Sequence, residues 1–136
     1  MIPEISSITG EKLDNAVVVS LYIFGSRAQG AAGPLSDYDF GALMKKRGHA
    51  RGDDAYNRLY DLLSPLCPRT LKNDVIDIVF LRDAPLELRF HVIRYGNVLY
   101  DADSLTRGRF EERTMREYCD YRPILTMFDR AIFARI

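Results

Sequence analysis

The chain has little with which to build a covalent or transition-metal framework. It carries two cysteines, Cys67 and Cys119, and two histidines, His49 and His91, among 136 residues. Neither pair has metal-ligand spacing and the two kinds do not cluster, which argues against a zinc site or a disulfide scaffold. Net charge is missing as well, because 19 basic and 19 acidic residues cancel. No broad positive field is then available to draw in a nucleic-acid backbone, so polynucleotide binding is disfavoured. No apolar stretch approaches the roughly 20 residues that cross a bilayer, and the N-terminus lacks the basic region and apolar core of a signal peptide. No membrane partner is expected, and the expected location is cytoplasmic. Internal repeats and low-complexity tracts are absent too. What is present, 47% hydrophobic and 28% charged residues, is the composition of a globular protein. Residues 1–136 fit one domain, since a domain of roughly 150 residues buries about 70% of its unfolded surface.

Residue patterning predicts a mixture of helices and strands. "AVVVSLYIF", Ala16 to Phe24, is rich in β-branched and aromatic side chains and stops at Gly25, as a buried strand would. A second strand is expected from Asp37 to Met44. "KKRGHARG", Lys45 to Gly52, reads as a basic loop. From Asp53 onward, Ala55, Leu59, Leu62, Leu63 and Leu66 recur at helical intervals, with Asp53 or Asp54 as the cap and Pro68 at the end. "VIDIVFL", Val75 to Leu81, is more apolar than alternating and is expected in the centre of a sheet. Asp83 and Pro85 should open another helix, closed by a left-handed cap at Gly96. "NVLY" reads as a short fourth strand. From about Ser104 the chain looks helical, with a bend expected at Pro123 and a core-facing stripe of Phe110, Tyr118, Tyr121, Leu125, Phe128 and Ile132.

The chemistry concentrates in "FGSRAQGAAGPLSDYDFG", residues 24 to 41. Gly, Ser, Pro and Asp are turn formers, so a plain surface hairpin is one reading. The other uses the period of a strand. Asp37 and Asp39 then project to one face while Tyr38 and Phe40 point to the other. Asp77 sits among Val75, Ile76, Ile78 and Val79, where a lone ionised carboxylate is costly to bury and needs a partner. If its strand lies beside that of Asp37, three carboxylates meet, and like charges about 4 Å apart repel by roughly 4 kcal/mol per pair at an effective dielectric of 20. Hard divalent cations relieve that repulsion, above all Mg²⁺, which keeps positions open for water and substrate phosphates. Gly25 and Ser26, at the end of the first strand, offer backbone N–H groups and a hydroxyl to phosphate oxygens. Arg27 could assist them or join a surface salt bridge. Asp101 and Asp103 repeat the Asp-x-Asp spacing without a preceding Gly-Ser turn, and Asp103 reads as a helix cap. The basic loop, Lys45 to Arg51, is read as a solvated connection, with guiding ATP or meeting an acidic partner as the alternative.

Gly-Ser, ten residues, Asp-x-Asp and a later strand aspartate resemble the nucleotidyltransferase superfamily that includes DNA polymerase beta. Within it, "FGSRAQG", "SDYDFG", "VIDIVFL" and "GNVLYD" look like the minimal nucleotidyltransferase (MNT) antitoxins of the HEPN/MNT toxin–antitoxin systems. The resemblance implies an α/β (α+β) fold, a mixed β-sheet backed by α-helices. It implies that Gly25 and Ser26, with Arg27, bind phosphates, and that Asp37, Asp39 and Asp77 bind two Mg²⁺ ions. By resemblance the reaction moves AMP from ATP to a tyrosine of a separate HEPN ribonuclease toxin, which silences it. The partner would be that toxin, in a hetero-oligomer or beside a homo-oligomer. Two other readings stand beside this one: adenylylation of a small hydroxyl compound of the aminoglycoside type, and toxin occlusion by a non-catalytic binding module. The leading segment of about fifteen residues is short for the family's first helix.

Overall fold

The structure is a computed structural model that describes residues 7–25, 38–67 and 76–134, with side chains at 9–25, 38–67 and 76–121. The short leading segment does form a helix, α1 (Ser7–Asn15), and enters β1 (Val18–Phe24) through Val17, whose φ is +59°. The strand thus starts two residues later than Ala16, because that turn uses Ala16 and Val17. After β1 come β2 (Tyr38–Met44), α2 (Asp54–Leu63), β3 (Ile76–Phe80), α3 (Leu86–Tyr95), β4 (Asn97–Asp101) and α4 (Ser104–Ala134). Short 3-10 turns cover Ser64–Leu66 and Leu81–Asp83. Asp53 is the N-cap of α2, accepting the Tyr56 N–H at 2.8 Å. Asp103 likewise accepts the Thr106 N–H in the first turn of α4.

The strands form one mixed sheet in the order β3-β2-β1-β4, with β1 antiparallel to both neighbours and β2 parallel to β3. Side chains alternate between two cores. Leu21 and Ile23 of β1, Phe40 of β2 and Ile78 of β3 join Leu13 of α1 and Leu59 and Leu63 of α2 on one face. Val19, Tyr22, Phe24 and Leu43 meet Leu81, Val92 and Phe110 on the other. Coverage on both faces explains why every residue of β1 is buried and why its sequence does not alternate.

Three expectations need correction. β3 is an edge strand, not a central one. Ile76, Ile78 and Phe80 are buried while Asp77 and Val79 are half-buried, so its apolar run reflects one face packed into the core with α1 and α2 and Val79 set against the core on the other face. Asp83 does not open α3, which begins after Pro85. Its carboxylate instead accepts the N–H groups of Gly48 and His49, pinning the basic loop. Gly96 is extended, with φ −80°, and not left-handed. It is required by close approach, because a Cβ there would lie 2.4 Å from the Val92 carbonyl oxygen and 3.1 Å from that of Ile23.

Along α4, Phe110 is buried and Tyr118 stacks on Phe90 with ring centroids 3.7 Å apart, whereas Tyr121 is exposed. Among the described side chains the stripe is therefore core in its first turns, and Leu125, Phe128 and Ile132 have side chains outside the described set. The helix continues past Pro123. Pro68 and Val75 also lie outside the described residues. Among those described, no helix is long and apolar enough to cross a membrane.

Candidate functional site

The site forms where β1 ends and β2 and β3 begin. Tyr38 and Phe40 are buried and stack on each other, with ring centroids 6.5 Å apart. Their burial fixes the opposite orientation of Asp39, as the alternation of a strand requires. In the parallel pairing, Asp39 lies directly opposite Asp77. Neighbouring strands are about 4.8 Å apart, and side chains at one register position share a face. The carboxylates of Asp39 and Asp77 therefore project together from two different segments of the chain.

Gly25 closes the third side. Phe24 pairs with Asp39 across the antiparallel ladder, which sets Gly25 against the aspartate. Its φ is +74°, and a Cβ at this position would come within 2.5 Å of the Asp39 Oδ2. Glycine is needed twice over, for the left-handed backbone and for the space the carboxylate occupies. Asp37, Ser26 and Arg27 lie outside the described residues, so two of the three predicted carboxylates and one of the three predicted phosphate-binding residues are placed. Among the described residues no group of three metal-ligating side chains forms, and Asp37 is not in that set.

Asp77 has the partner its environment calls for. Arg51 Nη1 lies 3.3 Å from Asp77 Oδ1. The cost of burial is smaller than the apolar flanks suggest, since the Asp77 side chain is 41% exposed on its edge strand. Arg51 is 76% exposed, so the pair is a surface ion pair worth about 0–1 kcal/mol. Its guanidinium also lies 6.0 Å from the centre of the Tyr56 ring. Burial, first, holds the Tyr56 phenol above its ordinary value; the Asp77 charge adds to this and Arg51 opposes it. Arg51 belongs to the loop read from sequence as a solvated connection. The loop's contacts with Asp83, 30 or more positions away, carry no local signal.

Along the outer edge of β3, a cavity of about 260 Å³ borders Asp77 and is lined by His49, Arg51, Phe80, Pro85 and Leu88 among others. It joins apolar walls to two carboxylates, Asp77 and Asp83, and one guanidinium. Asp101, the other Asp-x-Asp, sits at the far end of β4 in a structural network. It accepts hydrogen bonds from Ser20 Oγ and Ser104 Oγ at 2.7 Å and from Arg107 Nε at 2.9 Å.

Carboxylate oxygens on adjacent strands beside a glycine-lined turn suit a hard divalent cation and the phosphate oxygens that share it. Comparison with known proteins bears on the family and the fold. The pattern of a family described as polymerase beta, nucleotidyltransferase matches residues 8–105. The fold is similar to that of a toxin–antitoxin complex crystallised with AMP-PNP, at 22% identity and a TM-score of 0.67, over 90% of this chain and 94% of that one. It is also similar to a structure of a tri-AMPylated Shewanella oneidensis HEPN toxin in complex with an MNT antitoxin, at 19% identity and a TM-score of 0.60, over 92% and 97% of the two chains. A toxin–antitoxin pair named MntA–HepT gives 18% identity and a TM-score of 0.59, over 93% and 99%. No curated protein matches the chain.

Proposed function

The chain belongs to the polymerase beta nucleotidyltransferase family, and from that premise we propose that it is an antitoxin that transfers AMP from ATP to a tyrosine of a HEPN-type toxin. The observation that carries the chemistry is the in-register placement of Asp39 and Asp77 on adjacent parallel strands, with Gly25 apposed to the Asp39 carboxylate. The similarity in fold to toxin–antitoxin complexes, one with AMP-PNP and one with an AMPylated toxin, supports the choice of nucleotide and target. Nearly the whole length of those chains is matched, which favours an antitoxin over an aminoglycoside-type enzyme.

Asp37, Asp39 and Asp77 would hold two Mg²⁺ ions, which when bound lower the pKa of an attacking hydroxyl and neutralise charge on the triphosphate. Gly25 and Ser26, with Arg27, would hold the phosphate oxygens, the backbone N–H groups approaching closely because glycine has no Cβ. The target tyrosine oxygen forms a bond to the α-phosphorus, the bond from that phosphorus to the β-phosphate oxygen breaks, and pyrophosphate leaves. Asp77 would take the hydroxyl proton. The cavity beside it, with Phe80, Pro85 and Leu88 as apolar walls, suits an aromatic acceptor. Positioning and charge neutralisation supply most of the acceleration in transfers of this kind.

The test is to incubate the purified protein with Mg²⁺, ATP and the product of the neighbouring gene, then weigh that product by mass spectrometry. A gain of one or more AMP units on a tyrosine is the expected result. Tight binding with no gain in mass would replace the proposal with occlusion, and AMP on an added aminoglycoside alone would replace it with small-molecule transfer.

A further inference from the structure

At the end of the sheet opposite Asp39 and Asp77 lies a second concave site, lined by Arg47, Arg82, Arg89, Thr106, Arg109, Phe110 and Arg113. β2 and β3 both run away from the carboxylates, and Arg47 and Arg82 follow their far ends. The five arginines come from the β2–α2 loop, the 3-10 turn after β3, α3 and α4. On α4, Thr106, Arg109, Phe110 and Arg113 fall at successive spacings of three, one and three residues and so share one face. The cavity holds about 200 Å³, and no carboxylate among the described residues lines it.

Such a concentration of one charge is unexpected in a chain whose formal net charge is zero. Among the described residues, none of Arg47, Arg82, Arg109 and Arg113 makes an ion pair, and Arg89 alone has an acid, Glu117 Oε2 at 3.3 Å. Arg89 Nε is buried and has no hydrogen-bond partner among the described residues, an unmet donor on a charged group that normally finds an acceptor. Arg82 is held in place from two sides. Its Nε donates to the Met44 carbonyl oxygen at 2.6 Å, and its guanidinium sits 5.7 Å from the centre of the Phe110 ring. Burial, first, and then the charges of Arg47 and Arg113 make its protonated form harder to keep. A multiply charged anion in the cavity relieves all of these conditions at once.

We propose that this arginine-lined cavity is an anion site for a phosphoryl group, separate from the nucleotidyl-transfer site at the other end of the sheet. Several guanidinium forks converging on one small space match a tetrahedral dianion or a pyrophosphate better than a single carboxylate, because each phosphoryl oxygen accepts more than one N–H. The volume admits a phosphate or pyrophosphate group and not a duplex or a folded segment. The phosphoryl group can be free inorganic anion or the phosphate of a nucleotide, and the chemistry is shared.

The experiment is isothermal titration of the full chain with inorganic pyrophosphate and, separately, AMP, at fixed ionic strength with EDTA present. EDTA removes the divalent ions that the transfer site needs. Binding in the micromolar to low millimolar range is expected, weakened at least about tenfold in the variant Arg47→Ala/Arg109→Ala/Arg113→Ala, a loss of roughly 1.4 kcal/mol. These three side chains are exposed, and the single exchanges Arg109→Gln and Arg113→Gln, each lowering affinity, serve if the triple variant fails to fold. Pyrophosphate binding alone assigns the site to free anion; AMP binding as well assigns it to a phosphoryl group on a larger molecule. Unchanged affinity in the folded variants overturns the proposal. So does binding of a 20-mer oligonucleotide or of poly-glutamate when neither phosphoryl probe binds.

Discussion

At the scale of single residues, Gly25 is constrained both by its positive φ and by the Asp39 carboxylate beside it. Gly25→Ala forces a left-handed conformation costing about 1–2 kcal/mol and drives a methyl group into the Asp39 carboxylate. Chemical denaturation should register a loss of at least that size, and AMP transfer should fall by roughly a hundredfold, the effect of a displaced reacting group. Asp39→Asn should abolish transfer yet leave the fold intact, or slightly more stable without metal, since one of several like charges is gone. A fully active Asn variant would show that the site is misassigned. For Arg51→Ala the expected signs differ. Stability should move by less than about 1 kcal/mol, because the pair with Asp77 is exposed. Without nucleotide, Mn²⁺ used as a probe for Mg²⁺ should bind severalfold more tightly once a competing positive charge is removed, measurable by its paramagnetic signal. That Gly25 ends a strand and that Asp39 and Asp77 lie on strands was legible in the sequence, because strand patterning and turn chemistry act over a few positions; that the two strands are neighbours was not. Arg51 was not, since its contact with Asp77 spans 26 residues.

At the scale of elements, the strands and helices were readable in type because their patterns are local, but their places in the sheet were not. β3 reads as central from its apolar run, yet it is an edge strand, its buried residues packed on one face and Val79 set against the other core. Asp83 and Gly96 carry the residue types of helix caps, and tertiary contacts gave each a different task. The join between β1, β4 and α4 yields a pH prediction. Burial raises the Asp101 carboxyl, but hydrogen bonds from Ser20, Ser104 and Arg107, with the Arg107 charge, outweigh it and bring the group below its ordinary value near 3.8. A lowered folded-state value gives stability that is present above 3.8 and is lost as pH falls through the folded value. Asp101→Asn should thus cost about 2 kcal/mol near neutral pH, the worth of hydrogen bonds to a charged group. That deficit should shrink below about pH 4, as followed by urea denaturation across pH. A constant deficit would mean the carboxylate's charge is irrelevant. Nearby, Tyr22 donates to Glu111 at 2.6 Å, and burial, first, with that acceptor, holds its phenol well above its ordinary value.

At the scale of the whole molecule, the sheet separates two ends of unlike chemistry. Acids gather where β2 and β3 begin, and arginines where they finish. The family match and the acid end together support nucleotidyl transfer, whereas composition alone had revealed only a neutral globular protein. The central claim is that Asp39 and Asp77 act with Asp37 as one metal-binding unit next to a nucleotide. Counting Mn²⁺ ions bound per chain by electron paramagnetic resonance, with a non-hydrolysable ATP analogue present, tests it most directly. Two ions in the wild-type protein and fewer in both Asp39→Asn and Asp77→Asn are predicted. Equal occupancy in all three folded proteins would contradict it.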